Sequence, residues 1–401
     1  MKWGSYMLAV YLSPIYIVVH AYALYWILKW MSSWGKFFRK KTFRISVSVI
    51  YTLLAVSMLI GFFLPHGEYE RIFKIIGYYW LGFSLYEVIA LLISLLIRFI
   101  VLHTRFATRE IWGRRRTLFF SGLLSAVLAL SVCGYGVVNA HHIRTTKYDI
   151  SINKKAGRLK TLNICLVADL HMGYNIGVKH ITQMVDKINA THPDLVVIAG
   201  DIFDNEYDAL ENPSALIKQF NRIQSKYGVY GVYGNHDIEE HILAGFTFGE
   251  GKQQADPRMD QFLKKAHVHN LRDQAVVIDN SFTLYGRPDY NKPGKGIKKR
   301  KTPSECTKTL DHQKPIIMVD HEPRELEEKS KAGVDLDLGG HTHDGQVFPA
   351  NVVTRMTWEN AYGYLKKGHM HSIVTSGVGI FGPFMRVGTK SEICSIKVHF
   401  K

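Results

Sequence analysis

The chain has 401 residues, 47% of them hydrophobic and 21% charged, with a formal net charge of +16 at pH 7 and only 4 cysteines. This composition excludes a disordered or fibrous protein and a small domain stapled by disulfides. The charge is uneven, because residues 1–142 contain 15 Lys and Arg against 4 Asp and Glu, whereas residues 143–401 contain 35 against 30. We therefore divide the chain into a membrane region, 1–142, and a soluble domain, 143–401.

The membrane region contains apolar stretches that are each long enough to cross a bilayer as a helix, which takes about 20 residues. These four stretches are Met7–Met31, Ile45–Leu64, Ile75–Val101 and Leu118–Ala140. Basic residues concentrate in the first and third connections, 36–44 and 105–116, and positively charged loops remain in the cytoplasm. The sequence therefore predicts an integral protein of the cell membrane with four spans, both termini outside and an extracytoplasmic soluble domain.

One ionisable residue, Glu87, falls near the middle of the third apolar stretch. An acid at that depth is costly and marks a polar contact inside the helix bundle. Because no charged partner is evident, we expect Glu87 to bind a neighbouring hydroxyl or helix rather than to serve transport. The four cysteines are dispersed without metal-finger spacing, and we expect them to be small buried residues.

The soluble domain alternates short apolar runs with helical patterns after a polar juncture at residues 141–147. The predicted strands are Thr161–Ala168, Leu195–Ala199, Val229–Tyr233, Ile316–Val319 and Val334–Leu338, with closing strands near Ser372–Thr375 and Ile393–Phe400. Helices are predicted at Val178–Ala190 and Ser214–Lys226. Strands that alternate with helices indicate an α/β sheet.

Each of the first five strands ends in a polar cluster. The clusters are Asp169-Leu170-His171, Gly200-Asp201-Ile202-Phe203-Asp204, Gly234-Asn235-His236-Asp237, Asp320-His321 and Gly339-Gly340-His341-Thr342-His343. The ends of parallel strands meet at one edge of a sheet, so we expect these clusters to converge on one site.

The ligand types in these clusters indicate a metal centre. They comprise two carboxylates, four imidazoles and one amide oxygen: Asp169, Asp201, His171, His321, His341, His343 and Asn235. Oxygen and nitrogen donors without thiolate suit Mn, Zn or Fe. Seven ligands suit two ions that share one carboxylate, the arrangement that assists in-line phosphoryl displacement.

The ordered motifs DLH, GDIFD, GNHD, DH and GHTH resemble the calcineurin-like metallophosphoesterase superfamily. GHTHDGQ and the residues Ser376-Gly377-Val378-Gly379, Pro383, Arg386 and Glu392-Ile393 resemble its membrane-anchored bacterial branch. The resemblance implies a four-layer α/β fold, two β-sheets flanked by helices, here preceded by four transmembrane helices.

The resemblance also assigns roles to residues of this chain. Asp169, His171, Asp201 and His343 would hold the first ion, and Asn235, His321 and His341 would complete the second, which Asp201 bridges to the first. A metal-bridging hydroxide would attack in line, and His236, oriented by Asp204 and kept protonated beside a carboxylate, would donate a proton to the leaving oxygen.

One position departs from the pattern of many relatives, which carry Arg directly after the second Asp of the GD cluster. Here that residue is Asn205, which disfavours protein-phosphatase activity. Arg386, or the Lys295–Lys301 loop, is the alternative source of positive charge for substrate binding.

The sequence thus predicts a membrane-anchored phosphodiesterase or phosphatase with two divalent ions. It would cleave a phosphate ester or pyrophosphate, and its anchoring suggests a lipid-linked substrate at the bilayer. The alternative is a non-catalytic membrane scaffold or binding module that retains the fold. No nucleic-acid partner is expected, because aromatic residues are not interleaved with the basic runs, and the oligomeric state is left open.

Overall fold

The computed structural model describes residues 3–104, 115–238, 241–243, 246–248, 255–294, 297 and 299–401. The chain forms two compact units. The helical unit contains Met1–Val138, Ile242–Phe248 and Gly382–Met385, and the sheet unit contains Asn139–His241, Gly249–Phe381 and Arg386–Lys401.

The helical unit is built from long apolar helices that coincide with the predicted stretches. They are α1 (Trp3–Met31), α2 (Lys41–Phe63), α3 (Glu68–His103) and α4 (Arg115–Ala140). Among the described residues, two segments are long and apolar enough to cross a membrane, Glu68–Val101 and Arg115–Ala140, and α2 makes a third if its two parts, bent by 51°, form one span.

This result supports membrane association but shows fewer spans than the predicted four. The first predicted span falls on α1, and the side chains of residues 1–12 lie outside the described part of the chain. Three of the basic residues used to orient the helices, Arg105, Arg109 and Arg114, also lie outside the described residues.

The acid in the third apolar stretch has polar contacts within the helical unit. Glu87 Oε2 accepts a hydrogen bond from the Tyr51 hydroxyl at 3.2 Å. The same hydroxyl lies 2.9 Å from Nδ1 of His20, so three helices share one hydrogen-bonded chain. This agrees with the expectation that a neighbouring hydroxyl satisfies Glu87.

The sheet unit contains two mixed β-sheets. In spatial order, the first sheet comprises β1 (Ile143–Ile152), β14 (Ser391–Phe400), β2 (Thr161–Val167), β3 (Leu195–Ala199), β4 (Val229–Val232) and β7 (Val268–Asn270). The second comprises β12 (Gly363–Lys367), β13 (Met370–Val374), β11 (Leu336–Gly339), β10 (Ile316–Val319), β9 (Phe282–Gly286) and β8 (Gln274–Ile278). A separate pair, which from Ile242 onward belongs to the helical unit, joins β5 (His241–Leu243) to β6 (Phe246–Phe248).

One apolar core joins the two sheets. Leu166 and Val197 of the first sheet belong to the same buried cluster as Leu284 and Leu338 of the second. The sheets are flanked by the helices α5 (Val178–Asn189), α6 (Pro213–Phe220), α7 (Pro257–Lys265), α8 (Pro303–Thr307) and α9 (Leu326–Lys331). A further helix, α10 (Ala350–Thr357), packs on the short helix His343–Gly345. The prediction of two sheets flanked by helices is confirmed.

Two local predictions were wrong. The polar juncture at 141–147 contains the beginning of β1, which pairs in parallel with β14 from Ile143 opposite Ser391 to Ile152 opposite Phe400. An edge strand with few buried side chains lacks the apolar run by which the predicted strands were recognised. The strands β5 to β9 and β12 were likewise not predicted. The helix predicted to reach Lys226 ends at Phe220. All four cysteines are free and buried, as expected.

Candidate metal centre

The turns after five parallel strands bring the predicted ligands together at one end of the sheets. Their side-chain donor atoms form two groups, within each of which all atoms lie within 4.8 Å of one another. The first group is Asp169, His171 and His343, and the second is Asp201, His321 and His341. These six residues come from segments up to 174 positions apart, so only the fold assembles them.

Asp201 lies between the two groups. Its Oδ2 is 3.1 Å from Nε2 of His321 and 3.7 Å from Nε2 of His171. The seventh candidate, Asn235, places Oδ1 3.2 Å from the same His321 nitrogen and 2.9 Å from Nδ1 of His341. One carboxylate is therefore within reach of both groups, and the amide oxygen joins the second.

The backbone is strained where it presents these side chains. Left-handed φ angles between 45° and 75° occur at Asp169, His171, Asp201, His341 and His343. Such conformations cost about 1–3 kcal/mol each and persist where the surroundings impose them, commonly at functional sites. Close packing is one cause, because a Cβ on Gly340 would lie 2.6 Å from Oδ2 of Asp169.

Asp237 forms hydrogen bonds to both the turn after β3 and the turn after β4. Its Oδ1 accepts hydrogen bonds from the backbone N–H groups of Ile202 at 2.9 Å and Phe203 at 2.8 Å. Its Oδ2 accepts one from the N–H of Gly234 at 2.8 Å. This fully buried carboxylate therefore fixes the segments that carry Asp201 and Asn235.

The electrostatics of the groups suit divalent ions. Burial lowers the pKa of His341 to about 4 and holds that of His343 well below its usual value, so both imidazoles present lone pairs at neutral pH. Burial would raise the pKa of Asp201, but neighbouring histidines hold it well below its usual value. Burial would also lower the pKa of His321, but Asp201 raises it, and a metal ion would replace that proton. Neutral imidazoles and an ionised carboxylate are the forms that bind metals.

The environment of His236 differs from the expectation. Its Nδ1 lies 2.5 Å from Oδ1 of Asn205, whereas Asp204 lies 3.5 Å from Nδ1 of His171. The Asn205 amide is fixed in this orientation, because its Nδ2 donates to the carbonyl of Ile238 at 3.2 Å. Burial holds the pKa of His236 well below its usual value. A neutral amide, rather than the predicted carboxylate, therefore orients this histidine.

Arg386 is likewise placed differently from the expectation of substrate binding. It is fully buried, and its Nη2 donates to the carbonyls of Ser376 at 2.6 Å and Gly379 at 2.8 Å. Its Nη1 donates to the carbonyl of the candidate ligand His343 at 3.2 Å. The guanidinium therefore holds the loop beside His343, and it is not exposed to a substrate.

The other predicted source of charge, the Lys295–Lys301 loop, lies partly outside the described residues. Among its described cations, Arg300 binds both oxygens of Asp320 at 2.8 Å, and Lys301 pairs with Asp273 at 2.7 Å. Asp320 also pairs with Arg287 at 2.9 Å and with Lys329 at 2.8 Å, and Lys329 bridges to Asp337 at 2.8 Å. Asp320, the carboxylate at the centre of this buried ion cluster, directly precedes the candidate ligand His321 in the chain. Sequence reasoning missed the cluster, because its five members lie at five separate places in the chain.

Sequence reasoning also missed an aromatic ring, that of Phe381, which lies beside two histidines of the site. The Phe381 ring lies 4.5 Å from the His236 ring and 5.6 Å from the His171 ring, measured between centroids. Gln346 holds Phe381 by both backbone groups, donating to its carbonyl at 2.8 Å and accepting from its N–H at 3.0 Å. The sequence pointed to this contact only through Gln346, the last residue of the motif GHTHDGQ.

Comparison with known families agrees with this site. A family model described as calcineurin-like phosphoesterase matches residues 162–345, which include all seven candidate ligands. This domain belongs to the calcineurin-like phosphoesterases. The match, the donor groups and the relatives named metallophosphoesterases identify this domain as a metal-dependent phosphoric ester hydrolase.

Relatives of this phosphoesterase occur in eukaryotes and bacteria. The Danio rerio transmembrane protein with metallophosphoesterase domain is 25% identical over 372 residues, covering 88% of this chain and 82% of that protein. An uncharacterized metallophosphoesterase of Aquifex aeolicus is 28% identical over 279 residues, covering 68% of this chain and 98% of that protein. Another, of Campylobacter jejuni, is 28% identical over 243 residues, covering 60% of each chain.

Proposed function

We propose that the protein is a membrane-anchored phosphoesterase that uses two divalent ions to cleave a lipid-linked phosphate ester or pyrophosphate. The observation that carries the two-ion assignment is the position of Asp201 within 3.7 Å of histidines from both donor groups. Asp169, His171, Asp201 and His343 would hold one ion, and Asp201, Asn235, His321 and His341 the other. The donors accept Mn, Fe or Zn.

Bound divalent ions supply Lewis-acid polarisation of the phosphoryl group and lower the pKa of water toward neutrality. The protein contributes fixed ligands. The backbone N–H of His236 donates to Oδ1 of Asp201 at 2.8 Å, which leaves Oδ2 directed toward the histidines. Asp237 and Arg386 hold the turns, so little reorganisation accompanies the reaction.

We assign proton transfer to His236. Because Asn205 accepts at Nδ1, the neutral ring carries its proton there and leaves the Nε2 lone pair available. A bound phosphate anion would stabilise the imidazolium and raise its pKa, so His236 can then donate from Nε2 to the leaving oxygen. Asn205 is the positioning residue in this scheme, and Phe381 covers one side of the ring.

The lipid-linked substrate is inferred from the apolar helices on the same chain. Two described segments meet the length and hydropathy required for spans, and a relative named a transmembrane protein covers 88% of the chain. Hydrolysis of a soluble ester would not require this attachment.

We also propose four spans with the sheet unit outside the cytoplasm, because the basic residues cluster in the first and third connections. Reporter enzymes fused after Lys401 test this topology. A reporter active only in the cytoplasm would overturn the orientation and leave the hydrolase assignment intact.

Activity is tested with the full chain in detergent. We would measure metal content and hydrolysis of bis(p-nitrophenyl) phosphate and p-nitrophenyl phosphate, with and without Mn, for wild type and Asp201→Asn. Asp311→Asn, which changes a half-exposed carboxylate, is the matched control. We expect metal-dependent turnover that Asp201→Asn abolishes and Asp311→Asn preserves. Folded wild-type protein that binds no metal and hydrolyses neither ester would refute the proposal.

A further inference from the structure

Helix α10 has its polarity reversed relative to an ordinary surface helix. Val352, Val353 and Met356 are 48%, 59% and 81% exposed, whereas the polar Asn351 is only 9% exposed. A helix on a soluble domain normally turns its apolar stripe toward the core. We name the surface formed by Val352, Val353 and Met356 the α10 patch.

The spacing of the α10 patch places its side chains together. Val352 and Met356 are four residues apart and Val353 and Met356 three apart, so all three share one helical face. Elsewhere in the described sheet unit, the exposed large apolar side chains are Val277, Tyr290, Phe348 and Tyr364. Apolar exposure is therefore concentrated at this helix, and such concentration marks an interaction surface.

The chain passes between the helical unit and the sheet unit at places next to both candidate spans. The candidate span α4 ends at Ala140 and β1 begins at Ile143, so only two residues separate them. Within the helical unit, Phe384 packs its ring 5.8 Å from that of Tyr79 on α3, the other candidate span. The segment Gly382–Met385, which contains Phe384, belongs to the helical unit, and the next residue, Arg386, belongs to the sheet unit.

The second of these places leads to the α10 patch. Within the sheet unit, the backbone N–H of Phe348 donates to the carbonyl of Val387 at 2.8 Å, and Val387 follows Met385 by two residues. Phe348 precedes α10 by two residues. The residue that lies two positions before α10 is therefore hydrogen-bonded to a residue only two positions after the segment Gly382–Met385.

We propose that the α10 patch inserts into the surface of the lipid bilayer to which the protein is anchored. This inference rests on the proposed membrane anchoring and deepens it. The contact is apolar, because Arg355, the cation on this helix, is paired with Asp344 at 2.7 Å and 2.8 Å. Binding should therefore not require anionic lipid and should resist added salt.

The insertion has a consequence for the substrate. The metal ligand His343 precedes α10 by only seven residues, and Asp344, the next residue, forms the ion pair with Arg355 of α10. A helix lying at the headgroup level would hold the metal centre beside phosphate groups that remain attached to membrane lipids.

A fluorescence experiment tests the position of the α10 patch. The full chain carrying Val353→Cys is labelled with NBD and placed in nanodiscs of phosphatidylcholine, with or without doxyl-labelled lipid. Val277→Cys is the matched control, because it is also a valine and is 58% exposed, and all native cysteines are buried. At a depth of about 5–10 Å we expect a roughly two-fold loss of emission at position 353 with doxyl lipid, and none at 277.

The alternative outcomes separate the hypotheses. Equal, water-like emission from both positions in lipid-incorporated protein would overturn the insertion while leaving the anchoring intact. Emission at 353 that depends on protein concentration but not on doxyl lipid would assign the patch to a second copy of the chain and overturn the lipid assignment. A chain that fails to enter nanodiscs would refute the anchoring and the insertion together.

A kinetic comparison provides the functional readout. In nanodiscs, Val353→Asp should raise KM roughly ten-fold for a phosphodiester embedded in lipid and leave KM for bis(p-nitrophenyl) phosphate unchanged, whereas Val277→Asp should change neither. Equal effects of Val353→Asp on both substrates would indicate a structural role and contradict the proposal.

Discussion

The sharpest test of the proposed chemistry is Asn205→Ala, which removes the acceptor from Nδ1 of His236. The two atoms lie 2.5 Å apart and Asn205 is only 3% exposed, so water does not readily replace the lost bond. Leaving a buried donor unsatisfied costs about 1–3 kcal/mol. If that cost falls on the transition state, kcat decreases by roughly 5- to 150-fold.

The leaving group distinguishes a role in proton transfer from a general loss of structure. Expulsion of an alkoxide requires a proton, whereas p-nitrophenolate departs without one. We therefore expect Asn205→Ala to reduce kcat for an alkyl phosphodiester within this range and to change kcat for the p-nitrophenyl ester little. Metal content is measured alongside and should be unchanged.

Two variants control this experiment. Asn205→Asp retains an acceptor at the same position and should restore much of the activity toward the alkyl ester. Asn221→Ala removes an asparagine that contacts His267 at 2.9 Å on an exposed surface and should leave both substrates unaffected. An equal loss on both esters for Asn205→Ala, or no loss on either, would refute the positioning role.

Three further predictions concern stability and metal binding. Burial lowers the pKa of His180 from 6.5 to about 4, so its neutral form stabilises the fold above pH 6.5 and this stability is lost as the pH falls toward 4. The midpoint of thermal unfolding at pH 5 should therefore lie roughly 4–8 °C below the midpoint at pH 7. The variant His180→Gln should show a smaller difference between the two midpoints. Lys329→Met should lower the free energy of unfolding in a denaturant titration by about 3–5 kcal/mol, because the buried carboxylates of Asp320 and Asp337 both lose the cation that they share. Lys331→Met on the same helix removes only an exposed ion pair and should leave the free energy of unfolding unchanged. Gly340→Ala should lower metal content measured by elemental analysis, because its Cβ would lie 2.6 Å from a ligand carboxylate, and Gly177→Ala, whose nearest contact is 3.6 Å, should not.

Much of the sheet unit was accessible from the sequence because its signals are local. A buried strand such as Leu195–Ala199 is a continuous apolar run, and the structure places β3 at the same residues. Asp201 follows that strand at once, so its position at the strand end required no tertiary information. The same reasoning did not reveal β1, because most of its side chains are exposed or half-exposed and its partner β14 lies about 250 residues away.

From strand periodicity the sequence by itself predicted an α/β sheet, and from donor chemistry it predicted a candidate ligand set, because both are properties of neighbouring residues. The arrangement of two sheets followed only from the resemblance to a known family. Tertiary structure decided which groups the individual side chains contact. Asp204 and Asn205 are adjacent in the chain, yet they face different histidines, since successive side chains of an irregular turn point in different directions. Arg386 lies within a motif but turns inward to backbone carbonyls. The direction of a side chain depends on packing between distant segments, and local sequence does not contain it.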